Sequence, residues 1–172
     1  GTEFLGKGAN VVLGPSVNVH RGALNGRNFE YLSGEDPYLG SRLTRAWVLG
    51  VQSQGVMAVV KHWVFNEQET NRDSEDSIVD AKTAWELYYP PFEAAVDSGV
   101  SAAMCSYNRV DGKHSCSNGD SLKLLKEQLG LQGFVQSDWW AMHHQTNAQG
   151  VDQDMPGISD PGIGRNASCS PP

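Results

Sequence analysis

Short apolar runs rich in valine alternate along this chain with longer segments of helical character, and no other feature restricts its fold as much. Val11 to Leu13, Val56 to Val60, Ser101 to Ser106 and Gly133 to Ser137 read as buried strands, each followed by polar residues. Between them, Leu39 to Gln54, Asp80 to Ser98 and Asn118 to Leu129 read as helices, the last with Leu122, Leu125 and Leu129 at helical spacing. Gly99 and Gly130 stand where helices would end, each a few residues before the next run. Pro90 and Pro91 predict a kink or division in the second helix, because proline lacks an N–H and crowds the preceding turn.

Such alternation favours a parallel sheet with helical crossovers, either an open doubly wound sheet or a barrel. The chain has neither a Gly-x-Gly-x-x-Gly opening a helix nor a Gly-Lys-Ser/Thr phosphate loop, which removes the main cofactor arguments for an open sheet. A complete eight-stranded barrel takes about 250 residues. The 172 residues here, with four or five strand–helix units, make roughly half of one. The expected fold class is α/β, a partial (β/α)8 TIM-type barrel.

In a parallel barrel the active site gathers where strands end, so the polar residues that close each run matter most. Arg27 lies in the loop region after the first run, Lys61 and His62 close the second, Tyr107 and Asn108 the third, and Asp138 and Trp139 the fourth. An Asp beside a Trp suits carbohydrate chemistry. The acid can hydrogen-bond hydroxyls or attack a carbon, and the indole can lie against the axial C–H face of a sugar ring. Arg27, Lys61 and His62 would supply donors, and their charge would hold Asp138 ionised. An Asp that merely caps the following helix, with Trp139 and Trp140 in the core, is the structural alternative.

Thirteen basic against twenty acidic residues leave a net charge of -7, with no excess positive charge for nucleic acid or anionic lipid. The longest apolar stretches fall far short of the roughly 20 residues of a membrane span. Three cysteines without C-x-x-C spacing argue against a zinc site. Cys105 and Cys116 flank a turn-rich stretch whose Asp111-Gly112 pair could bring the two sulfurs together, and two reduced, partly buried thiols are the alternative. His143 and His144 lack the i, i+4 spacing of a zinc helix and read as a solvated helix start, while Asp152 and Asp154 read as loop caps. Glu67 and Glu69 are expected to ion-pair with Lys61.

Five segments carry a resemblance: GRNFE at Gly26 to Glu30, KHWVFNEQETNR at Lys61 to Arg72, MCSYNRVDGKHSCSN at Met104 to Asn118, GFVQSDWWAMH at Gly133 to His143, and DMPG at Asp154 to Gly157. In order and spacing they resemble glycoside hydrolase family 3, in its β-glucosidase and β-xylosidase branch. The resemblance implies that residues 1–157 are part of the family's N-terminal barrel, with 158–172 an irregular tail or loop. It implies that Asp138 is the nucleophile of a retaining mechanism. Arg27, Lys61 and His62 would then bind hydroxyls of the nonreducing-end sugar, Tyr107 would lie beside the nucleophile, and Met104 and Trp139 would be apolar walls. The substrate would be a β-glucoside or oligosaccharide, with no cofactor and no metal.

Retaining hydrolysis also needs a second carboxyl about 5 to 5.5 Å from the first. In this family it usually comes from a second, α/β-sandwich domain, which nothing in this sequence resembles. The single-domain β-N-acetylhexosaminidases carry it instead on a barrel loop after KHFPGHG, but here Lys61-His62 is followed by WVFNEQE. The reading is therefore a fragment inactive alone, from a secreted parent in which Asn166-Ala167-Ser168 would be a glycosylation sequon. A noncatalytic carbohydrate-binding fragment and a phosphate-using glycosyl transferase of the same family are the rival readings.

Overall fold

The structure, a computed structural model, describes residues 1–143 and 149–157. His144, the 158–172 tail and the sequon at Asn166 lie outside the described residues. After a short helix α1 (Thr2–Gly6), the chain runs through β1 (Val11–Val12), α2 (Pro37–Gln52), β2 (Met57–Trp63), β3 (Asp76–Ser77), α3 (Ala81–Thr83) and α4 (Pro90–Asp97). It continues through β4 (Ala102–Cys105), the hairpin β5 (Arg109–Val110) and β6 (Lys113–His114), α5 (Gly119–Lys123) and β7 (Phe134–Ser137).

The four strands expected from the apolar runs form one parallel sheet in the order β1-β2-β4-β7. Each strand–helix unit adds its strand on the same side of the last, so the order never reverses. A doubly wound sheet reverses at its switch point, whereas a barrel does not, and the sheet is therefore part of a barrel. Beyond β7, the segment at Asp152 and Gln153 begins a further parallel pairing, with Gln136 bridged to Gln153 and the Asp152 N–H donating to Val135 O over 2.7 Å.

Strand alternation divides the buried residues between two faces. Ala58 and Val60, Ala103 and Cys105, and Val135 pack with Val48 of α2, Phe92 and Ala95 of α4, and Leu122 of α5. Val59, Ala102 and Met104 form a separate cluster with Val11, Phe134 and Trp139, on the face that a closed barrel turns inward. Trp63 anchors the helix side: its ring stacks on Tyr89 at 5.3 Å and meets Phe92 edge-on at 5.1 Å. Removing so large a buried ring typically costs about 3–5 kcal/mol.

Local chemistry sets the boundaries. Asp36 caps α2 by accepting the Tyr38 N–H at 2.8 Å, with Pro37 at the first helical position, where its missing N–H costs nothing. The double proline does divide the second helical segment. The backbone widens into a π turn over Ala84–Tyr88, closed by the Tyr89 N–H on Ala84 O at 2.9 Å, and α4 then starts on the two prolines. Gly99, at φ 71°, ends α4 with its own N–H on Val96 O and the Val100 N–H on Ala95 O, a left-handed cap that favours glycine. Asp111 and Gly112, both at positive φ, turn β5 into β6, and the chain returns so that Cys105 and Cys116 are disulfide-bonded with Cα atoms 5.1 Å apart.

Candidate active site

Asp138 follows the last residue of β7 and is buried, 7 % exposed. Oδ1 accepts two hydrogen bonds, from the Tyr107 hydroxyl at 2.9 Å and the Trp139 backbone N–H at 2.8 Å, while Oδ2 lies 3.3 Å from His62 Nε2. Burial alone would favour the neutral acid. The contacts from His62, Trp139 and Tyr107 outweigh it and hold the carboxyl below its ordinary range, so Asp138 is a carboxylate at neutral pH. Tyr107, two residues beyond β4, is pushed up by burial and by the Asp138 charge, and keeps its proton to donate.

His62, near the end of β2, is fully enclosed, and burial pushes it down to about 4 against the pull of Asp138. A neutral imidazole has one N–H. Placing it on Nε2 satisfies Asp138 and leaves Nδ1 to accept from the Tyr31 hydroxyl at 3.0 Å. Asn18 fixes the backbone that carries the ring: its Oδ1 accepts the His62 backbone N–H at 2.7 Å, and its Nδ2 donates to His62 O at 3.1 Å and to Glu67 Oε1 at 3.0 Å. Arg27 Nη2 lies 3.2 Å from the same Nε2. With the proton on Nε2, that Arg27 nitrogen has no acceptor at His62 and keeps a donor for another oxygen.

Glu30 ties the cations together. One carboxylate oxygen accepts from Arg27 Nε and the other lies 3.4 Å from Lys61 Nζ. Burial works against the Glu30 charge, but Arg27 and then Lys61 hold it below the usual range. Lys61 therefore does not pair with Glu67 or Glu69, contrary to the sequence expectation. Glu67 turns away to Asn18, and Glu69 pairs with Arg27 at 3.5 Å and Arg72 at 2.9 Å. The 25–31 loop folds across the end of β2 and presents Glu30 first, which sequence proximity to Lys61 could not reveal.

The structure thus brings Arg27, His62, Tyr107 and Asp138 into one connected cluster, with Lys61 joined through Glu30. Met104 is buried on the inward face of β4, and Trp139 packs against the same cluster. Glu30, Tyr31 and Asn18 were not singled out from sequence. Glu30 closes the GRNFE segment, the one signal that could have flagged it. Asp152 and Asp154 serve β7 rather than a loop: Asp152 accepts the Val135 N–H and pairs with Lys126, and Asp154 accepts from Ser137. His143 lies in a turn rather than a helix and stacks on His114 with ring centres 3.7 Å apart. Among the described residues no helix is long and apolar enough to cross a membrane.

Residues 1–157 match the family described as glycosyl hydrolase family 3 N terminal domain. A β-glucosidase of Rhizobium radiobacter is 48% identical over 161 residues, covering 91% of this chain and 20% of that protein. Among solved structures, a β-glucosidase from Kluyveromyces marxianus in complex with glucose superposes with a TM-score of 0.86 at 36% identity, over 92% of this chain and 20% of that one. β-Glucosidase 3B from Thermotoga neapolitana, also in complex with glucose, gives 0.83 at 43% identity, over 90% of this chain and 22% of that one. The chain spans about a fifth of the length of these relatives.

Proposed function

Because the chain belongs to glycosyl hydrolase family 3, we propose that it supplies the nucleophile-bearing part of a retaining β-glucosidase that releases nonreducing-end glucose, or a related sugar such as xylose. The observation that carries this reading is the state of Asp138: an ionised carboxylate at a strand end, with Tyr107 and His62 aimed at it and the Arg27 guanidinium 3.2 Å from that histidine.

Asp138 Oδ1 is occupied by two short hydrogen bonds, so Oδ2, with one longer contact, is the oxygen that attacks the anomeric carbon. The glycosidic C–O bond breaks as the Oδ2–C bond forms, and the departing oxygen takes a proton from an acid. Water then attacks the same carbon, gives its proton to that group as a base, and releases the sugar and the Asp138 carboxylate. Arg27 and Lys61 hold sugar hydroxyls through both steps, His62 joins them as its Nε2–H leaves the attacking Asp138 Oδ2, and Met104 and Trp139 exclude water along an apolar wall. The acid/base is assigned to a further α/β-sandwich domain, in keeping with the fraction of its relatives' length that the chain spans. The 172 residues alone are accordingly expected to turn over little substrate, since loss of acid assistance typically costs about 10² to 10⁴ in rate. The Cys105–Cys116 disulfide supports a secreted parent protein.

Trapping tests this reading. A 2-fluoro glucoside is incubated with the complete protein that carries this chain, and the labelled peptide is mapped by mass spectrometry. The expected label sits on Asp138, and a label on another residue would remove the assignment.

A further inference from the structure

Six residues form a closed circuit of contacts that includes the proposed nucleophile and two of the proposed sugar-binding residues. Asp138 accepts from Tyr107, and the Arg72 guanidinium carbon lies 3.8 Å above the centre of the Tyr107 ring. Arg72 Nη1 meets Glu69 Oε2 at 2.9 Å, and Glu69 Oε1 meets Arg27 Nη1 at 3.5 Å. Arg27 Nη2 lies 3.2 Å from His62 Nε2, which returns to Asp138 at 3.3 Å. Glu69 is the one carboxylate of this circuit besides Asp138 itself, and each of its oxygens faces a different arginine.

We infer that Glu69 is a positioning residue, whose bridge between Arg27 and Arg72 sets the sugar-binding guanidinium on one side of Asp138 and the hydrogen-bond donor Tyr107 on the other. This inference rests on the glycosidase reading. Two guanidinium groups facing one carboxylate would repel each other without it; its negative charge offsets that repulsion, and its short hydrogen bond from Arg72 gives that group a fixed direction. Arg27 has its hydrogen-bonded anchor in Glu30, on its Nε side, and Glu69 faces the Nη end at 3.5 Å as an opposing charge without a hydrogen bond. Among the described residues, Arg72 has Glu69 as its ion-pair partner, and its place on the Tyr107 ring depends on that pair. A cation above the aromatic face stabilises the ring position and draws electron density from it, favouring donation by the hydroxyl to Asp138.

The test uses Glu69→Gln, Glu69→Asp, Tyr107→Phe and the Glu69→Gln/Tyr107→Phe pair in the complete protein, with kcat, KM, the glucose inhibition constant and a melting curve for each. Glu69→Gln is expected to lower kcat about tenfold and to raise the glucose inhibition constant, with Glu69→Asp recovering part of both. The pair is decisive. If Glu69 acts on kcat through Tyr107, the Glu69→Gln loss shrinks by roughly threefold or more in the Tyr107→Phe background. Effects that simply multiply would overturn the inference, as would unchanged kinetics in Glu69→Gln.

Should Glu69→Gln not fold, Arg72→Lys keeps the charge beside Glu69 and loses the planar stack. It is expected to lower kcat with little change in KM, and a wild-type kcat there would count against the inference. A crystal structure of a folded Glu69 variant, Glu69→Gln or Glu69→Asp, separates this claim from the parent reading. Arg72 leaving the Tyr107 ring in a protein without glucosidase activity upholds the positioning and sinks the glycosidase reading. Arg72 unmoved in an active enzyme does the reverse.

Discussion

Tyr107 donates its phenolic hydrogen to Asp138 Oδ1 over 2.9 Å, across 31 residues of sequence and between the ends of two neighbouring parallel strands. The contact exists because β4 and β7 pair in register, Cys105 opposite Ser137, which brings the residues just beyond both strands together. The sheet's register thus adds the Tyr107 hydroxyl to the contacts from His62 and the Trp139 N–H that together outweigh burial and keep the carboxylate ionised.

Tyr107→Phe keeps the ring under Arg72 and removes that one donor. Hydrogen bonds to charged groups are worth about 1.5–3 kcal/mol, so kcat/KM is expected to fall roughly tenfold to a hundredfold. The Tyr107 hydroxyl lowers the Asp138 pKa, so its loss raises it, and the acid limb of the kcat/KM profile moves to higher pH. A pH–rate profile from pH 3 to 8 reads this, and an acid limb that stays in place would contradict the role given to Tyr107.

The four strands and the identity of the strand-end residues were legible because both follow from period and sequence order: an apolar run must be buried, and its polar successor must lie at the sheet's edge. The Asp111-Gly112 turn was legible because left-handed backbone selects residue type, whereas the sequence left open whether the two cysteines it brings together are bridged or reduced. Ion-pair partners were not. Lys61 meets Glu30 only after a loop some thirty residues upstream folds over β2, whereas Glu67 and Glu69, much closer in sequence, are turned elsewhere by Asn18 and the two arginines. The π turn before Pro90 was legible only as a disturbance, since a proline pair predicts lost hydrogen bonds but not how the backbone replaces them.

Arg27→Ala and Lys61→Ala are expected to raise both KM and the glucose inhibition constant and to lower kcat, because in the proposed function each would hold hydroxyls in ground and transition states alike. Removing either also leaves Glu30 without one of its two cations in a half-buried site, so each variant should melt earlier, by about 1–3 kcal/mol of stability. Steady-state kinetics with glucose as inhibitor, beside a melting curve, separates the two effects. A variant with wild-type glucose affinity would remove that residue from the sugar site.

Glu67 makes a pH-dependent contribution that Glu67→Gln isolates. Burial raises its carboxyl from 4.5 to about 8, so the folded state keeps the proton while the unfolded chain gives it up. Its contribution is fully present below about pH 4.5 and is lost as pH rises toward 8, to a ceiling of a few kcal/mol. Glutamine keeps an oxygen for Asn18 and cannot ionise. Melting temperatures at pH 5 and pH 8 should therefore favour Glu67→Gln over wild type at pH 8 and bring the two together at pH 5. An advantage independent of pH would show that Glu67 does not titrate in this range.

The Cys105–Cys116 bridge closes a loop of 11 residues' separation that contains Tyr107. On the chain-entropy account a loop of that size contributes about 3 kcal/mol, so Cys105→Ser with Cys116→Ala should lower the denaturation midpoint by a corresponding amount. The bridge lies on the helix side of the sheet, so kcat at low temperature should change far less than stability. A loss of activity at temperatures where the variant remains folded would mean that the bridge also sets the position of Tyr107.

Asp138→Asn tests the core of the reading, because the nucleophile forms its bond only along the reaction path. Asparagine is nearly isosteric, and its amide oxygen can still accept from Tyr107 and the Trp139 N–H, so the pocket keeps its shape. His62 is neutral beside Asp138, and the amide N–H can donate to Nε2 once the ring proton moves to Nδ1, where the Tyr31 hydroxyl can accept it, so no buried charge is left unpaired. The amide cannot attack the anomeric carbon as a carboxylate does, and the oxocarbenium-like transition state loses the negative charge that stabilises it. The variant is expected to lose at least roughly 10³ in kcat, while its glucose inhibition constant changes by only a fewfold. Arg27 and Lys61 variants lose both, and that contrast distinguishes a nucleophile from a binding group. If folded Asp138→Asn keeps even about a tenth of wild-type kcat, Asp138 caps its strand end and the nucleophile lies elsewhere.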